Sequence, residues 1–505
     1  MYLVERTRTT PEGGKKMRQA GILLPVYSLP SKYGCGTLGK EAYSFINWLR
    51  ASGQSVWQIL PVGPANCGDS PYQCSSSFAG NPYFVDFDIL KEEGLLKASD
   101  YEKMDFGSDP EFMDYEKLKA NRNKVLHIAF ENGRDDAAFS DFIIENAWWL
   151  DDYALYMALK EHFDEKYWLE WPDEALKSHD FEACMKMKEL LSERIAYHSF
   201  VQFEFFRQWN KMKAYANEQG ISIVGDIPIY VPMDCADVWA SRGNFLLSED
   251  NIPVEVAGVP PDYFNEDGQL WGNPLYNWDA MRNDGYGWWI RRIGGTLKLC
   301  DVIRIDHFRG FDEYWAVPYG AKSAKEGCWR KGPGMSFVGV ITSWFGGEHF
   351  IAEDLGCASE SVTRLLADSG LPGMKVMEFA FNAVEPSSYI PHMVKENCIY
   401  YVGTHDNTTI MGWKDEEPAA NVELAARYLN LTEEEGFNWG FIRGGMATPA
   451  KLFVAQMQDY LALDSHARTN VPGTVGTNWR WRLTPGQLTP ELAAKIREVT
   501  ELYGR

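Results

Sequence analysis

The sequence has no long hydrophobic run. No stretch of its 505 residues reaches the roughly 18 to 20 apolar residues that span a membrane. The first residues, MYLVERTRTTPEGGKKMRQAG, also lack the apolar centre of a signal peptide. We therefore expect a cytoplasmic protein with no membrane partner.

The cysteines are too widely spaced in the sequence to indicate a disulfide framework. The nine cysteines are an odd number, and no two of them form a C-x-x-C pair. Neither a disulfide scaffold nor a structural zinc site is therefore indicated. We expect reduced and mostly buried thiols at positions 35, 67, 74, 184, 235, 300, 328, 357 and 398.

Positive charge is in short supply. Lys and Arg total 49 against 71 Asp and Glu, which gives a formal net charge of −22. Nucleic acid and anionic membranes would be repelled, so a neutral ligand is favoured. The 19 Trp, 25 Tyr and 27 Phe will mostly serve packing, but their flat faces and polar edges also suit sugars.

Short apolar runs that end in polar residues recur along the chain. They alternate with helical patterns such as those at 38–53 and 358–370, each closed by a glycine. Buried parallel strands have this signature. With an eighth unit near 451–463, the count predicts an α/β protein, a (β/α)₈ TIM barrel, with strands in 21–29, 55–62, 221–230, 301–308, 349–355, 373–381 and 398–406.

Two intervals are too long to be simple connections. Residues about 88–200 are rich in Lys, Glu and amphipathic pattern, which predicts a helical insertion subdomain after the second strand. Residues about 232–300 are rich in Gly, Pro, Asn and aromatics, which predicts an irregular lid after the third. We expect the whole chain, 1–505, to form a single catalytic barrel with these insertions.

An arginine and an aspartate stand two apart at the end of the fourth run. Side chains at i and i+2 on a strand share a face, so Arg304 and Asp306 should project together into the barrel mouth. The arginine would keep the aspartate ionised, as a nucleophile or an electrostatic stabiliser requires. The alternative is a buried ion pair that only stabilises the barrel.

Further acids follow at neighbouring strand ends. Glu353 is flanked by apolar residues that could raise its pKa towards that of a general acid, although a solvated acidic turn is the alternative. His405 and Asp406 can bind vicinal hydroxyls, and Asp226 could hold the site together or touch the sugar. Paired carboxylates beside a hydroxyl clamp suit glycosidic bond cleavage, with one acid as nucleophile and the other as proton donor.

Several longer motifs carry a family resemblance. From about residue 20 to the C-terminus, and in order, the chain closely resembles 4-alpha-glucanotransferases (amylomaltases or disproportionating enzymes). It resembles the wider alpha-amylase superfamily only through the Arg-x-Asp, Glu and His-Asp set. The motifs are SPYQCSSSFAGNPYF (70–84), GDIPIYV (225–231), GVPPDYFNEDGQLWGNPLYNW (258–278), RIDHFRGF (304–311), IAEDLG (351–356), PGMKVMEFAF (372–381), GTHDN (403–407) and PGTVGTNWRWRL (472–483).

The resemblance implies a specific activity. It is the retaining transfer of an α-1,4-glucan segment, from a malto-oligosaccharide or a starch- or glycogen-type glucan, to the 4-hydroxyl of an acceptor glucan or glucose. By motif position Asp306 would be the nucleophile, Glu353 the general acid/base and Asp406 the transition-state stabiliser. The resemblance also implies no cofactor, no metal, no C-terminal β-domain and a monomer or homodimer.

Other positions would contact the sugar. Arg304 and His405 would support the carboxylates, and the resemblance carries over Tyr72, Asp226, Trp271 and Asn470 as sugar contacts. Two positions depart from the family pattern. Glu378 stands where the family has glutamine, and ARTN (467–470) replaces a more usual Arg-Met-Asn. The first 20 residues match nothing in the family.

Two other functions compete with transfer. A hydrolase of the amylase type would use the same carboxylates, and a non-catalytic glucan-binding protein would need neither Asp306 nor Glu353. The loop at 258–276 favours transfer, because Tyr263, Phe264 and Trp271 offer faces on which an acceptor sugar could stack and shield the intermediate from water. These aromatics could instead only pin the loop to the barrel rim.

Overall fold

A computed structural model describes residues 18–261, 266–356 and 359–505. Twelve β-strands lie in these residues. In chain order they are β1 (Gln19–Leu23), β2 (Val56–Gln58), β3 (Ser222–Ile227), β4 (Glu255–Val259), β5 (Gln269–Pro274), β6 (Val302–Ile305), β7 (Glu313–Pro318), β8 (Cys328–Lys331), β9 (Phe350–Ala352), β10 (Gly373–Val376), β11 (Cys398–Tyr401) and β12 (Leu452–Gln456).

Eight of these strands form a nearly closed parallel barrel, which confirms the predicted (β/α)₈ fold. The order is β10-β11-β12-β1-β2-β3-β6-β9, and every neighbouring pair is parallel. Between β9 and β10 the backbone N–H of Ala352 donates to the carbonyl of Pro372 at 2.9 Å. Each of the eight predicted runs overlaps one barrel strand, and seven of them contain the strand completely, whereas β1 begins two residues before the run 21–29.

Apart from a few polar residues such as Asp226 and Arg304, the barrel strands are apolar on both faces, as parallel strands must be when helices cover the outside. In β12, Leu452 and Val454 belong to the cluster inside the barrel, whereas Phe453 and Ala455 join the core under the helices. The period of two along the strand produces these two cores.

Seventeen α-helices accompany the strands in the described residues. They are α1 (Lys40–Ala51), α2 (Phe87–Glu92), α3 (Tyr115–Gly133), α4 (Ala137–His162), α5 (Glu174–Lys177), α6 (Phe181–Leu190), α7 (Ser192–Glu218), α8 (Ala236–Ala240), α9 (Trp278–Asn283), α10 (Gly287–Leu299), α11 (Met335–Phe345), α12 (Glu360–Ser369), α13 (Ile410–Glu416), α14 (Ala419–Leu429), α15 (Phe437–Met446), α16 (Met457–Tyr460) and α17 (Pro490–Leu502). None of the described helices is long and apolar enough to cross a membrane.

The interval 88–200 is helical, with α3 and α4 as its long members. Helix α7 begins inside this interval and continues to Glu218, just before β3. A buried ion pair fastens the helices to the loop after β3, since Lys160 Nζ lies 2.7 Å from Asp234 Oδ2. The boundaries of the insertion as a subdomain stay a prediction.

The interval 232–300 is less irregular than expected. Strands β4 and β5 pair with each other and with the later β7 and β8 in an antiparallel sheet of order β5-β4-β7-β8. The interval thus contains regular strands and helices, and its role as a lid stays a prediction. The short strands contain Gly and Pro and gain their partners from distant sequence, so no local pattern marks them.

The described chain after the last barrel strand has no further sheet. Residues 457–505 are all described and contain helices and loops, with α17 as their longest element. This agrees with the expected lack of a C-terminal β-domain.

Candidate active site

The predicted polar residues meet at the carboxyl end of the barrel. Asp226 lies in β3 directly opposite Arg304 in the register of β3 and β6. Asp306 follows β6, and its backbone N–H donates to the carbonyl of Ile227. Glu353 follows β9, where its N–H donates to the carbonyl of Ile305. The barrel therefore brings together acids that are far apart in the sequence.

Arg304 holds two aspartates at once. Its Nη1 donates to Asp226 Oδ1 at 2.9 Å and Oδ2 at 2.7 Å, and to Asp306 Oδ1 at 3.0 Å. Asp226 and Arg304 are buried, whereas about a quarter of the Asp306 side chain, 28%, is exposed. The pairing with Asp226 therefore explains why β6 contains a buried arginine.

The sharing of Arg304 changes the charge state expected for Asp306. Burial raises the pKa of Asp306 to about 8, and the carboxylates of Asp226, Glu353 and Asp406 add to the shift, while Arg304 opposes it. We expected Arg304 to keep Asp306 ionised. The guanidinium does lower the pKa of Asp306, but its charge is already balanced by Asp226, so burial prevails.

Two backbone N–H groups hold the carboxyl group of Glu353. Its Oε2 accepts from the N–H of His307 and its Oε1 from the N–H of Leu355, both at 2.7 Å. Burial raises the pKa of Glu353, while Arg304 and these two donors oppose the rise. A carboxyl group under such opposed influences is suited to give and take a proton near neutral pH.

Tyr72 connects Asp226 to His405. Its hydroxyl donates to Asp226 Oδ2 at 2.8 Å and lies 2.8 Å from Nε2 of His405. Because the single hydroxyl proton points to Asp226, Nε2 of His405 must carry the proton of that second bond. Burial lowers the pKa of His405, so the ring is neutral. The two rings stack at 5.2 Å.

Asp406 lies beside this neutral histidine. His405 Nε2 is 3.4 Å from Asp406 Oδ2, and Asp406 Oδ1 accepts from the Asn470 amide at 2.6 Å. The carbonyl of Asp406 accepts from Arg468 at 2.6 Å. The structure thus places the Asn470 amide nitrogen on a carboxylate.

Trp271 reaches the site from the small sheet. It lies in β5, and its ring meets that of His307 edge-to-face with centroids 4.9 Å apart. The side chain is only partly buried, which leaves surface for a ligand. Tyr263 and Phe264, named with Trp271 as stacking faces, lie outside the described residues. No group of three or more metal-ligating side chains occurs among the residues described.

Three contributors were not singled out from the sequence. His307 supplies a donor to Glu353, Arg468 fixes the backbone at Asp406, and Trp479 packs against Tyr72 and His405 with centroids 5.8 Å and 6.0 Å away. All three stand within or beside the quoted motifs. Their roles depend on the direction of the backbone and on partners far away in the sequence, and the motifs reveal neither.

Comparison with known proteins shows the family of this chain. A family profile described as 4-alpha-glucanotransferase matches residues 24–489. The chain is 46% identical to a 4-alpha-glucanotransferase of Clostridium butyricum, over 95% of this chain and 99% of the relative. It is 43% identical to one from Thermus thermophilus, over 97% and 99% of the two chains.

Solved structures give the same result. The amylomaltase of Streptococcus agalactiae in complex with acarbose matches with a TM-score of 0.94 and 42% identity, over 97% of this chain and 99% of the other. The amylomaltase of Corynebacterium glutamicum, at 19% identity and a TM-score of 0.76, has the same fold. The chain is an enzyme and belongs to the 4-alpha-glucanotransferase family.

Proposed function

We propose that this enzyme moves a segment of an α-1,4-glucan from a donor to the 4-hydroxyl of an acceptor glucan or glucose, with retention of configuration, through an ester on Asp306. The observation that carries the proposal is the shared Arg304. It holds Asp306 by Oδ1 only, so Oδ2 is the oxygen offered to the sugar. Glu353 stands at the next strand end of the barrel.

The first half-reaction breaks the glycosidic bond. Oδ2 of Asp306 forms a bond to the anomeric carbon while the bond from that carbon to the leaving oxygen breaks. Glu353 gives its proton to the leaving oxygen, which departs as the 4-hydroxyl of the released glucan. Burial raises the pKa of both Asp306 and Glu353, and the step proceeds from the form in which Asp306 is ionised and the shared site keeps its proton on Glu353.

The second half-reaction reverses these steps with a new sugar. Glu353, now ionised, takes the proton of the acceptor 4-hydroxyl as that oxygen attacks the anomeric carbon, and the ester bond to Asp306 breaks. Two displacements restore the original configuration. Asp406 would stabilise the positive charge that develops on the sugar ring in both transition states.

The remaining predicted residues receive supporting roles. Asp226 and Arg304 set the charge and direction of Asp306, and His405 is placed to donate to a sugar hydroxyl if Tyr72 turns away. Trp271 would stack against the acceptor. Asn470 would act through Asp406, since its amide nitrogen already donates there. Sugar contact by each of these side chains remains part of the proposal.

The experiment that tests the function is incubation with pure maltotriose and chromatography of all products. Transfer predicts glucose together with longer malto-oligosaccharides and a constant number of reducing ends, whereas hydrolysis raises that number. Asp306→Asn should abolish both product classes without lowering the unfolding temperature, because the amide is nearly isosteric but cannot form the ester. An Asp306→Asn enzyme within about tenfold of wild type, a barrier change of about 1.4 kcal/mol, would contradict the role of Asp306.

The cellular setting and the assembly state are also proposals. The described cysteines at 35, 74, 184, 235, 300, 328 and 398 are all free thiols, and most are buried, which suits a reducing compartment such as the cytoplasm. A monomer or a homodimer is expected. Light scattering on the purified protein distinguishes the two.

A further inference from the structure

Two buried acids lie under the loop that carries Asp406. We call residues 403–410 the His405 loop; it follows β11. Glu378 lies two residues after the end of β10, and Asp459 lies in α16, which directly follows β12. Strands β10 and β12 flank β11 on its two sides. The acids therefore approach the His405 loop from both neighbours, and both are almost completely buried.

Each acid lies at one end of the loop. Glu378 Oε1 lies so close to Gly403 that a β-carbon there would be 2.4 Å away, and the Glu378 N–H donates to the carbonyl of Val402 at 3.1 Å. At the other end, Asp459 Oδ1 accepts from the N–H of Ile410 at 2.8 Å. The two side chains together clamp the start and the end of the loop.

A hydrogen-bonded path leads from Glu378 to Asp406. The Glu378 and Asn407 side chains both face Gly403, where a β-carbon would lie 2.4 Å from Glu378 Oε1 and 3.2 Å from Asn407 Cβ, and hydrogen bonding from Asn407 opposes the rise in the pKa of Glu378. The Asn407 Oδ1 accepts from the N–H and the hydroxyl of Thr404 at 2.9 Å and 2.8 Å. The Thr404 hydroxyl oxygen accepts in turn from the N–H of Asp406 at 3.3 Å. A displacement of Glu378 would thus reach the backbone of Asp406 through two side chains.

The cluster has more acceptors than donors. Among the described residues, no hydrogen-bond partner reaches Glu378 Oε1, Asp459 Oδ2 or the neighbouring Gln456 Oε1. A buried acceptor without a donor is costly, and a proton on a carboxyl group supplies the missing donor. The geometry by itself therefore favours neutral carboxylic acids at both positions.

The surrounding charges support the same state. Burial raises the pKa of Glu378 well above its usual range, and Asp459 and Glu417 add to the shift, with Arg468 opposing it. Burial likewise raises the pKa of Asp459 to about 7 against two backbone donors. Tyr460, the other titratable group at Asp459, is kept neutral because burial raises its pKa.

We propose that Glu378 and Asp459 are positioning residues that hold Asp406 in place as a neutral pair, and that ionisation of this pair loosens the His405 loop. The proposal rests on the role assigned to Asp406 in the proposed function. If so, kcat falls at alkaline pH even in a reaction that does not need the proton on Glu353.

The test separates this fall in kcat from the effect of the acid/base residue. Fluoride release from α-glucosyl fluoride does not need the Glu353 proton, because fluoride leaves unaided. Wild type should still lose kcat as the pH rises above neutral. Glu378→Gln and Asp459→Asn imitate the neutral acids, so each should keep kcat within about twofold of wild type near pH 6. Each should also move the alkaline fall in kcat upward by about one pH unit. At a fixed pH within that fall, this shift is about a tenfold higher kcat than in wild type. The double variant should move it furthest, with KM little changed.

A matched control is available in another buried acid. Glu204 on α7 is buried beside Arg207, and burial raises its pKa to about 7. It is separate from the His405 loop, so Glu204→Gln should leave the pH profile of fluoride release where it is in wild type. The control shows whether any buried carboxyl group would produce the effect.

Thermal unfolding gives a second readout that does not depend on activity. A carboxyl group whose pKa is raised by folding stabilises the protein while it is protonated, and this stability is lost as the pH rises through the folded pKa. For Asp459 the loss runs from its ordinary pKa up to about 7. The double variant should therefore gain unfolding temperature over wild type, with a gain that grows as the pH rises above the ordinary pKa of Asp459 and is largest above neutral pH.

The outcomes are distinct. The proposal is wrong if the alkaline fall in kcat stays at its wild-type pH in Glu378→Gln, in Asp459→Asn and in the double variant. It is also wrong if folded Glu378→Gln has no activity at any pH. If the folded variants are too inactive to assay, the lack of a gain in unfolding temperature above neutral pH contradicts the proposal as well. Asp406→Asn tests the proposed function separately, since high activity in that variant removes the role of Asp406 whatever the other variants show.

Discussion

The backbone N–H of His307 donates a 2.7 Å hydrogen bond to Oε2 of Glu353. His307 directly follows Asp306, so the residue next to the proposed nucleophile orients the proposed acid/base. Its φ of 51° places it in the left-handed region, so the chain turns sharply directly after Asp306. This strained turn thus links the two carboxyl groups, in addition to the separate contacts of Glu353 with Leu355 and of Asp306 with Arg304.

The turn at His307 predicts an order among substitutions. Asn adopts left-handed φ readily and Val does not, so His307→Asn should keep far more kcat than His307→Val. Steady-state kinetics on maltotriose, together with unfolding temperatures, checks this. Similar kcat values in both folded variants would show that the backbone conformation at 307 does not matter for Glu353.

The shared arginine predicts a shift in pH dependence. Asp226→Asn removes a carboxylate that raises the pKa of Asp306 and releases Arg304 to pair with Asp306 alone. Both effects lower the pKa of Asp306, so the residual activity of Asp226→Asn should have its optimum at lower pH than wild type. Tyr72→Phe is the control, because it removes the hydrogen bond to Asp226 without removing charge. An optimum that stays or rises in Asp226→Asn would contradict the shared-charge account.

The placement of Trp271 predicts a change in the fate of the intermediate. If its ring is the acceptor platform, Trp271→Ala should still cleave maltotriose but lose more of the glycosyl-enzyme to water. The measurement is the number of new reducing ends per bond cleaved. Trp344→Ala is the control, since Trp344 is 66% exposed on α11. A ratio equal to that of wild type would mean that another segment excludes water.

The barrel could be predicted because its strands are buried on both faces. A run such as CIYY in β11 is apolar throughout, and such runs are visible in the sequence without their partners. The small sheet could not be predicted this way. Glu255 in β4 pairs with Pro318 in β7, and both runs contain Gly or Pro and lack the alternation of polar and apolar residues that marks a strand.

The residues of the site could be predicted from the sequence, but the contacts between them could not. Charged side chains at strand ends drew attention to Asp306 and Glu353. The pairing of Arg304 with Asp226, 78 residues away, is set by the register of β3 and β6 and therefore changes a charge state that the local motif suggested. In the same way, the partners of Glu378 lie on other strands, so the motif around it reveals only an unexpected acid.

The most direct test of the account is to trap the glycosyl-enzyme. Glu353→Gln should slow transfer between natural glucans by about 10² to 10⁴, because the leaving oxygen is no longer protonated, but it should still react with α-glucosyl fluoride. Without a base for the second half-reaction the ester should accumulate. Mass spectrometry of the protein and of its peptides should then show one added glucosyl unit on Asp306. A glucosyl unit on another residue, or equal losses on both substrates with no adduct, would contradict the central claim.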